Sequence, residues 1–288
     1  MAKASSYDPV PAIVEADAVG ETAALFTDIR TTLGVPVVNL IWRHLATIPD
    51  ALPWAWSALK PHYESGAIAS VAEALKQDIE LPLGIATSSA LSKPALHAAG
   101  LCVADLERIA MILRSYERSN AMNIVAVEAL RRHLAGASNA APLLVSPPPP
   151  TRPDAITGTM PHVLAPNEMT GETRDLVTAL NRFGGRVDVL PTMYRHLAHW
   201  PAYLALLHVL LAPLHADGRL EILIEKTLAE SRASGSRLHA TFAPPAPSLS
   251  RSAESQIRTA LATFTEGPLC KMIAIVAIVQ AAMARADQ

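Results

Sequence analysis

The chain repeats itself, and this limits its fold more than any other property of the sequence. Val-Pro-Val-Val-Asn-Leu-Ile-Trp-Arg-His-Leu-Ala-Thr-Ile-Pro at 35–49 lies over Val-Asp-Val-Leu-Pro-Thr-Met-Tyr-Arg-His-Leu-Ala-His-Trp-Pro at 187–201. Arg43 and Arg195 are 152 residues apart, as are Pro49 and Pro201, Pro61 and Pro213, and Gly66 and Gly218. Upstream, Gly20-Glu21-Thr22 falls on Gly171-Glu172-Thr173 at an offset of 151, with Leu25 on Leu176, so one residue is inserted near Gly185. Downstream, residues 119–127 correspond to 268–276 at an offset of 149. Self-similarity at a fixed period means that one structural unit is used twice. Two like units can pack about a pseudo-two-fold axis, as the subunits of a homodimer do about a true one.

Between the copies runs Ser146-Pro147-Pro148-Pro149-Pro150-Thr151-Arg152-Pro153, which cannot be helical and favours an extended spacer. The expected organisation is an N-terminal repeat over residues 1–143, a Pro-rich linker over 144–166 and a C-terminal repeat over 167–288. Residues 16–142 should then superpose on 167–285, with a cleft where the two copies meet.

Each copy reads as helical. Glu21 to Leu33 carries apolar residues at helical spacing between Gly20 and Gly34, and Glu172 to Phe183 does the same. Pro49, Pro53 and Pro201 end one helix and open the next, which puts Trp-Arg-His-Leu-Ala on a short helix that bends into a longer one. Val103 to Ala135 and Ser252 to Ala286 give further long helices, and alternation of period two is sustained nowhere. The predicted fold class is all-α, two tandem helical repeats forming a pseudo-two-fold pseudo-dimer. Half of the residues are hydrophobic and only 5% aromatic, enough apolar material for one large core or two ordinary ones.

Charge and targeting signals narrow the function classes. Lys and Arg number 24 against 26 acidic residues, so no basic footprint points to nucleic acid or an anionic membrane. The mean hydropathy of +0.24 is concentrated in Met272–Ala284, which is too short to span a bilayer and lies between Lys271 and Arg285. It reads as a buried core helix. The opening Met-Ala-Lys-Ala-Ser-Ser-Tyr lacks the apolar run of a secretory signal, and the expectation is a cytoplasmic protein. Cys102 and Cys270 give neither a disulfide framework nor a metal spacing. The sequence contains no Gly-rich phosphate loop, G-x-S-x-G, H-E-x-x-H or C-x-x-C, and no cofactor or metal is expected. A homo-oligomer is compatible with this composition.

The polar residues that stand out are few. Arg43-His44 and Arg195-His196 are duplicated, but neighbouring helical residues point about a hundred degrees apart, so at most one of each pair should face the core, and the other can cap a helix end or bind solvent. His196 and His199 share a face, with no carboxylate or thiol near in sequence to complete a metal set. Asn120 and Asn123 interrupt an apolar helix, and a buried amide needs partners. Lys271 sits in the matching helix of the second copy and is expected to snorkel outward.

Taken together, the repeat, the Leu-Ala-x-x-Pro turns, the central linker and the Asn120 segment resemble the DehI-type (group I) 2-haloacid dehalogenases over nearly the whole chain. In that family an aspartate within a pattern like Ser-Asp-aromatic-x-x-Leu-Ala-x-Trp-Pro activates a water. This water displaces halide from the α-carbon without an ester intermediate. The resemblance implies that Asn120 positions that water and that Val37 and Leu40 wall the pocket. The same pattern in this chain reads Thr192-Met193-Tyr194-Arg195-His196-Leu197-Ala198-His199-Trp200-Pro201, so Thr192 keeps a hydroxyl and Met193 stands where the acid belongs. A thioether cannot take a proton near neutral pH, and general-base assistance is typically worth about a hundred- to ten-thousand-fold in rate.

The expectation is therefore a pocket between the repeats lined by Val37, Leu40, Asn120, Thr192 and Met193. It would take a small organic acid or apolar small molecule, with family-type hydrolysis lost. Two alternatives stand beside it. One is an active 2-haloacid dehalogenase with a relocated base such as Asp188, which with Asn120 completes the catalytic candidates. The other is a non-enzymatic scaffold that binds another protein.

Overall fold

The computed structural model describes residues 10–85, 88–137, 154–240 and 249–284, and among these there is no β-strand. In the first half, α1 (Gly20–Leu33), α2 (Leu40–Leu45), α3 (Ala51–Glu64) and α4 (Ala67–Gln77) are followed by a short α5 (Lys93–Ala98) and a long α6 (Val103–Leu134). The second half runs α7 (Gly171–Arg182), α8 (Thr192–Leu197), α9 (Pro201–Ala216) and α10 (Arg219–His239). It ends in α11 (Arg251–Phe264), a wide π-turn (Thr265–Leu269) and α12 (Cys270–Ala284).

Local chemistry sets these boundaries in both halves alike. Gly66 and Gly218 adopt positive φ, 77° and 80°, a region that costs a side chain but not glycine, and each opens the next helix, α4 or α10. Pro61 and Pro213 lie in the last turns of α3 and α9, where each removes one i→i−4 hydrogen bond a few residues before its helix ends. Arg43 Nε donates to the Ile13 carbonyl at 2.9 Å and Arg195 Nε to the Leu164 carbonyl at 2.8 Å. Each arginine thus ties down the extended segment that precedes its own set of helices.

The halves differ in their long helices. α6 runs unbroken for 32 residues, whereas the expected helix from Ser252 onward is interrupted at Gly267-Pro268. Proline cannot donate its backbone hydrogen bond, and Gly267 leaves helical geometry (φ −112°, ψ −107°). α6 is the hub of the core and packs against α4, α8, α10, α11 and α12. Its approach to α10 depends on Gly235, where a Cβ would stand 2.3 Å from the Cβ of Glu128. The apolar Arg251–Ala284 stretch is 72% buried in its most apolar window, in line with a core helix.

Three expectations need correction or delimiting. The Ser146–Pro153 segment lies outside the described residues. The remainder of the linker is bound rather than free: Ile156 N donates to Gly34 O at 2.9 Å, and Arg118 Nη1 bridges Gly34 O and Asp154 O. Arg195 and His196 are both buried, because α8 is covered on every side, while in the first half His44 is half-buried as expected. Lys271 does not snorkel. It is fully buried, and its ammonium donates to Asn181 O at 2.6 Å, Asn181 Oδ1 at 3.3 Å and Gly185 O at 2.9 Å, acceptors in and just after the last turn of α7.

Candidate functional site

The first turns of α2 and α8 meet beside α6 and the π-turn. Matching residues face one another across a small cavity: Asn39, Leu40 and Ile41 from the first motif, and Pro191, Thr192 and Met193 from the second. Tyr116 and Asn120, one turn apart on α6, close one side, and Phe264, Pro268, Leu269 and Met272 close the other. The interruption at Gly267-Pro268 therefore falls at the cavity wall. The space amounts to about 30 Å³, enough for roughly two water molecules.

Apolar carbon dominates the lining, but three polar atoms in it have no partner. Asn39 Nδ2 donates to Asn120 Oδ1 at 3.0 Å, which leaves Asn39 Oδ1 and Asn120 Nδ2 unpaired, and Thr192 Oγ1 is also unpaired. All three residues are buried to 4% exposure. An orphaned buried polar group costs about 1–3 kcal/mol, so an acceptor, a donor and a hydroxyl around one cavity call for a polar occupant. Asn123, one turn beyond Asn120 on the core side, instead accepts from Trp42 Nε1 at 3.1 Å and Tyr63 OH at 2.9 Å.

Tyr116 is held in place by His196, its hydroxyl 2.8 Å from Nδ1. The imidazole also bonds the backbone of Pro161, which has no N–H, so a ring N–H must donate to that carbonyl and Nδ1 is left to accept from the phenol. Burial, with the fields of His199, Arg43 and Arg195, pushes His196 down to about 3, and burial raises Tyr116 well above the ordinary phenol value. The pair is neutral at physiological pH. His199 does not join it in a metal site: its Nε2 lies 3.0 Å from the His162 carbonyl, and among the described residues no cluster of His, Cys, Asp or Glu converges.

Of the residues expected from sequence, the structure brings together Leu40, Asn120, Thr192 and Met193. Val37 lies in the adjoining core, 3% exposed, and is replaced in the wall by Ile41, the residue 152 positions before Met193. Asp188 is exposed and borders a separate surface groove with Arg186 and Glu266. Among the described residues, no carboxylate and no cation lines the cavity. Sequence reading missed Asn39 and Tyr116, and it weighed His196 only as a capping, solvent-facing or metal-binding residue. Asn39 had left a signal: it is a polar residue in an apolar stretch, where the second motif has Pro191.

No family model matches the sequence. The chain is 28% identical over 205 residues to a configuration-inverting 2-haloacid dehalogenase of Alcaligenes xylosoxydans xylosoxydans, a match covering 67% of this chain and 65% of that protein. It is 30% identical over 116 residues to an (R)-2-haloacid dehalogenase of Pseudomonas putida, covering 38% of this chain and 37% of the relative. Both matches thus span less than two thirds of the relatives' length. Among solved structures, a D-2-haloacid dehalogenase mutant in complex with D-2-CPA superposes with a TM-score of 0.74 at 15% identity, covering 98% of this chain and 99% of that one. The complex of a D-2-haloacid dehalogenase with L-LA gives 0.73 with the same coverage. These likenesses establish the all-α fold.

Proposed function

Because the chain belongs to the DehI-type (group I) 2-haloacid dehalogenase family, we propose that it keeps a binding pocket between two helical repeats but has lost hydrolytic dehalogenation. Met193 carries this reading. Its side chain faces a cavity with unpaired amide and hydroxyl groups able to hold water, yet nothing in the lining can take a proton from that water. Displacement at an sp3 carbon needs a base within hydrogen-bond reach of the attacking water. Asn39, Asn120 and Thr192 can hold a water without activating it. The exposure of Asp188 and its place on another groove count against it as a substitute base.

The repeat organisation is part of the proposal. The paired arginine ties, the paired glycine turns and the facing of Ile41 on Met193 support two units related by a pseudo-two-fold axis. Their boundaries are those of the sequence repeat, and the site lies on that axis.

The proposed ligand is a small organic acid or small apolar molecule. Room for about two waters is too little for a haloacid, so binding displaces that water and moves Met193 and Met272, whose unbranched side chains repack readily. Racemic 2-chloropropionate should raise the melting temperature relative to chloride at equal ionic strength, without halide release, and Asn120→Leu should abolish the rise. An identical rise in Asn120→Leu would place the ligand elsewhere, and no rise at all would end the ligand reading.

A further inference from the structure

Apart from the Met193 cavity, the described residues form a larger surface groove of about 730 Å³, within the usual range for small-molecule sites. It lies where α6 passes the segment before α7 and the start of α9. Its floor is apolar: Trp200, Met111 and Met160. The indole is fixed, because Trp200 Nε1 donates to Asp105 Oδ1 at 2.8 Å, and Asp105 is itself held at the start of α6 by the Cys102 backbone N–H at 3.1 Å. Gly158 closes over Met111 so tightly that a Cβ there would stand 2.3 Å from the sulfur. The groove floor is thus assembled before any ligand arrives.

The rim carries Arg108 and Arg114, two exposed guanidinium groups on α6. Neither makes a hydrogen bond or ion pair with a described residue, although Asp105 attracts Arg108 along α6 and Glu107 stands beside it, which leaves Arg114 as the groove cation with no carboxylate of the lining next to it in the chain. A guanidinium is a planar fork suited to a carboxylate, and a fixed indole face suits a flat or aliphatic body. We propose that this groove is a second ligand site, separate from the Met193 cavity, for an organic carboxylate with an apolar body larger than a haloacid. The arginines hold the carboxylate while the body lies on Trp200 and the two methionines.

Calorimetric titration of the full chain with 4-phenylbutyrate, its neutral amide and octanoate tests this. The Met193 cavity opens at most for a haloacid-sized ligand in the reading above, and binding of the phenyl probes that is unchanged in Asn120→Leu assigns that binding to the groove. Both carboxylates should bind, the phenylbutyrate about tenfold more tightly than the amide, since each exposed cation contributes modestly. That preference should vanish in Arg108→Gln/Arg114→Gln, whose unchanged melting temperature would show it is folded. Trp200→Leu should weaken acid and amide together. Equal affinity for acid and amide, unchanged acid binding in the double glutamine variant, or no binding of any probe at about 1 mM would each overturn the proposal.

Discussion

At the residue scale, the cavity is defined by what its polar atoms lack. If Asn39 Oδ1, Asn120 Nδ2 and Thr192 Oγ1 share bound water, removing one should release part of that water's hold on the others. Thr192→Val keeps the shape and deletes the hydroxyl, so its cost should be small, within about 1 kcal/mol by thermal unfolding, whereas Tyr116→Phe should cost about 1–3 kcal/mol because it strands the buried His196 Nδ1. Equal costs would mean that the Tyr116–His196 bond adds nothing. Lys271 gives a pH-dependent prediction. Burial pushes its ammonium down to about 8 from an ordinary 10.5, so between those values the unfolded chain holds a proton that the folded chain has released. Unfolding free energy should therefore rise as pH climbs from about 8 toward 10, by up to about 3 kcal/mol. The slope should flatten in Lys271→Met, and an identical slope in that variant would assign the effect to another group.

At the element scale, two features shape the site. Gly235 lets α10 lie against α6, the helix that carries both Asn120 and Tyr116. On helix propensity alone Gly235→Ala should stabilise by about 1 kcal/mol. The contact with Glu128, which includes its backbone carbonyl carbon at 3.2 Å, makes overpacking the larger effect at about 1–3 kcal/mol, and the melting temperature should fall. A rise would show that the helices separate without cost. The second feature is the π-turn at Gly267-Pro268, which matches Arg118 and Ser119 in the unbroken α6. It breaks the two-fold likeness at the cavity, making one wall of Tyr116 and Asn120 and the other of Pro268, Leu269 and Met272.

At the scale of the whole molecule, the all-helical fold was legible because apolar periodicity and its glycine and proline punctuation are local signals. Lys271 and His196 were misjudged for a physical reason. Periodicity gives the direction of a side chain relative to its own helix, but not whether a second helix covers the face that would otherwise meet solvent. The Asn39–Asn120 pair spans 81 residues, and no local pattern encodes that contact. Val37 was assigned to the wall by resemblance, but it lies before α2 in the buried core, and Ile41 in the first turn of α2 lines the cavity. The central claim, a pocket kept and a base lost, is tested most directly by halide release from racemic 2-chloropropionate. The account predicts no release by the unmodified protein, measurable release by Met193→Asp, and loss of that gain when Asn120→Ala is added. Sustained release by the unmodified protein that survives Asp188→Asn would contradict it.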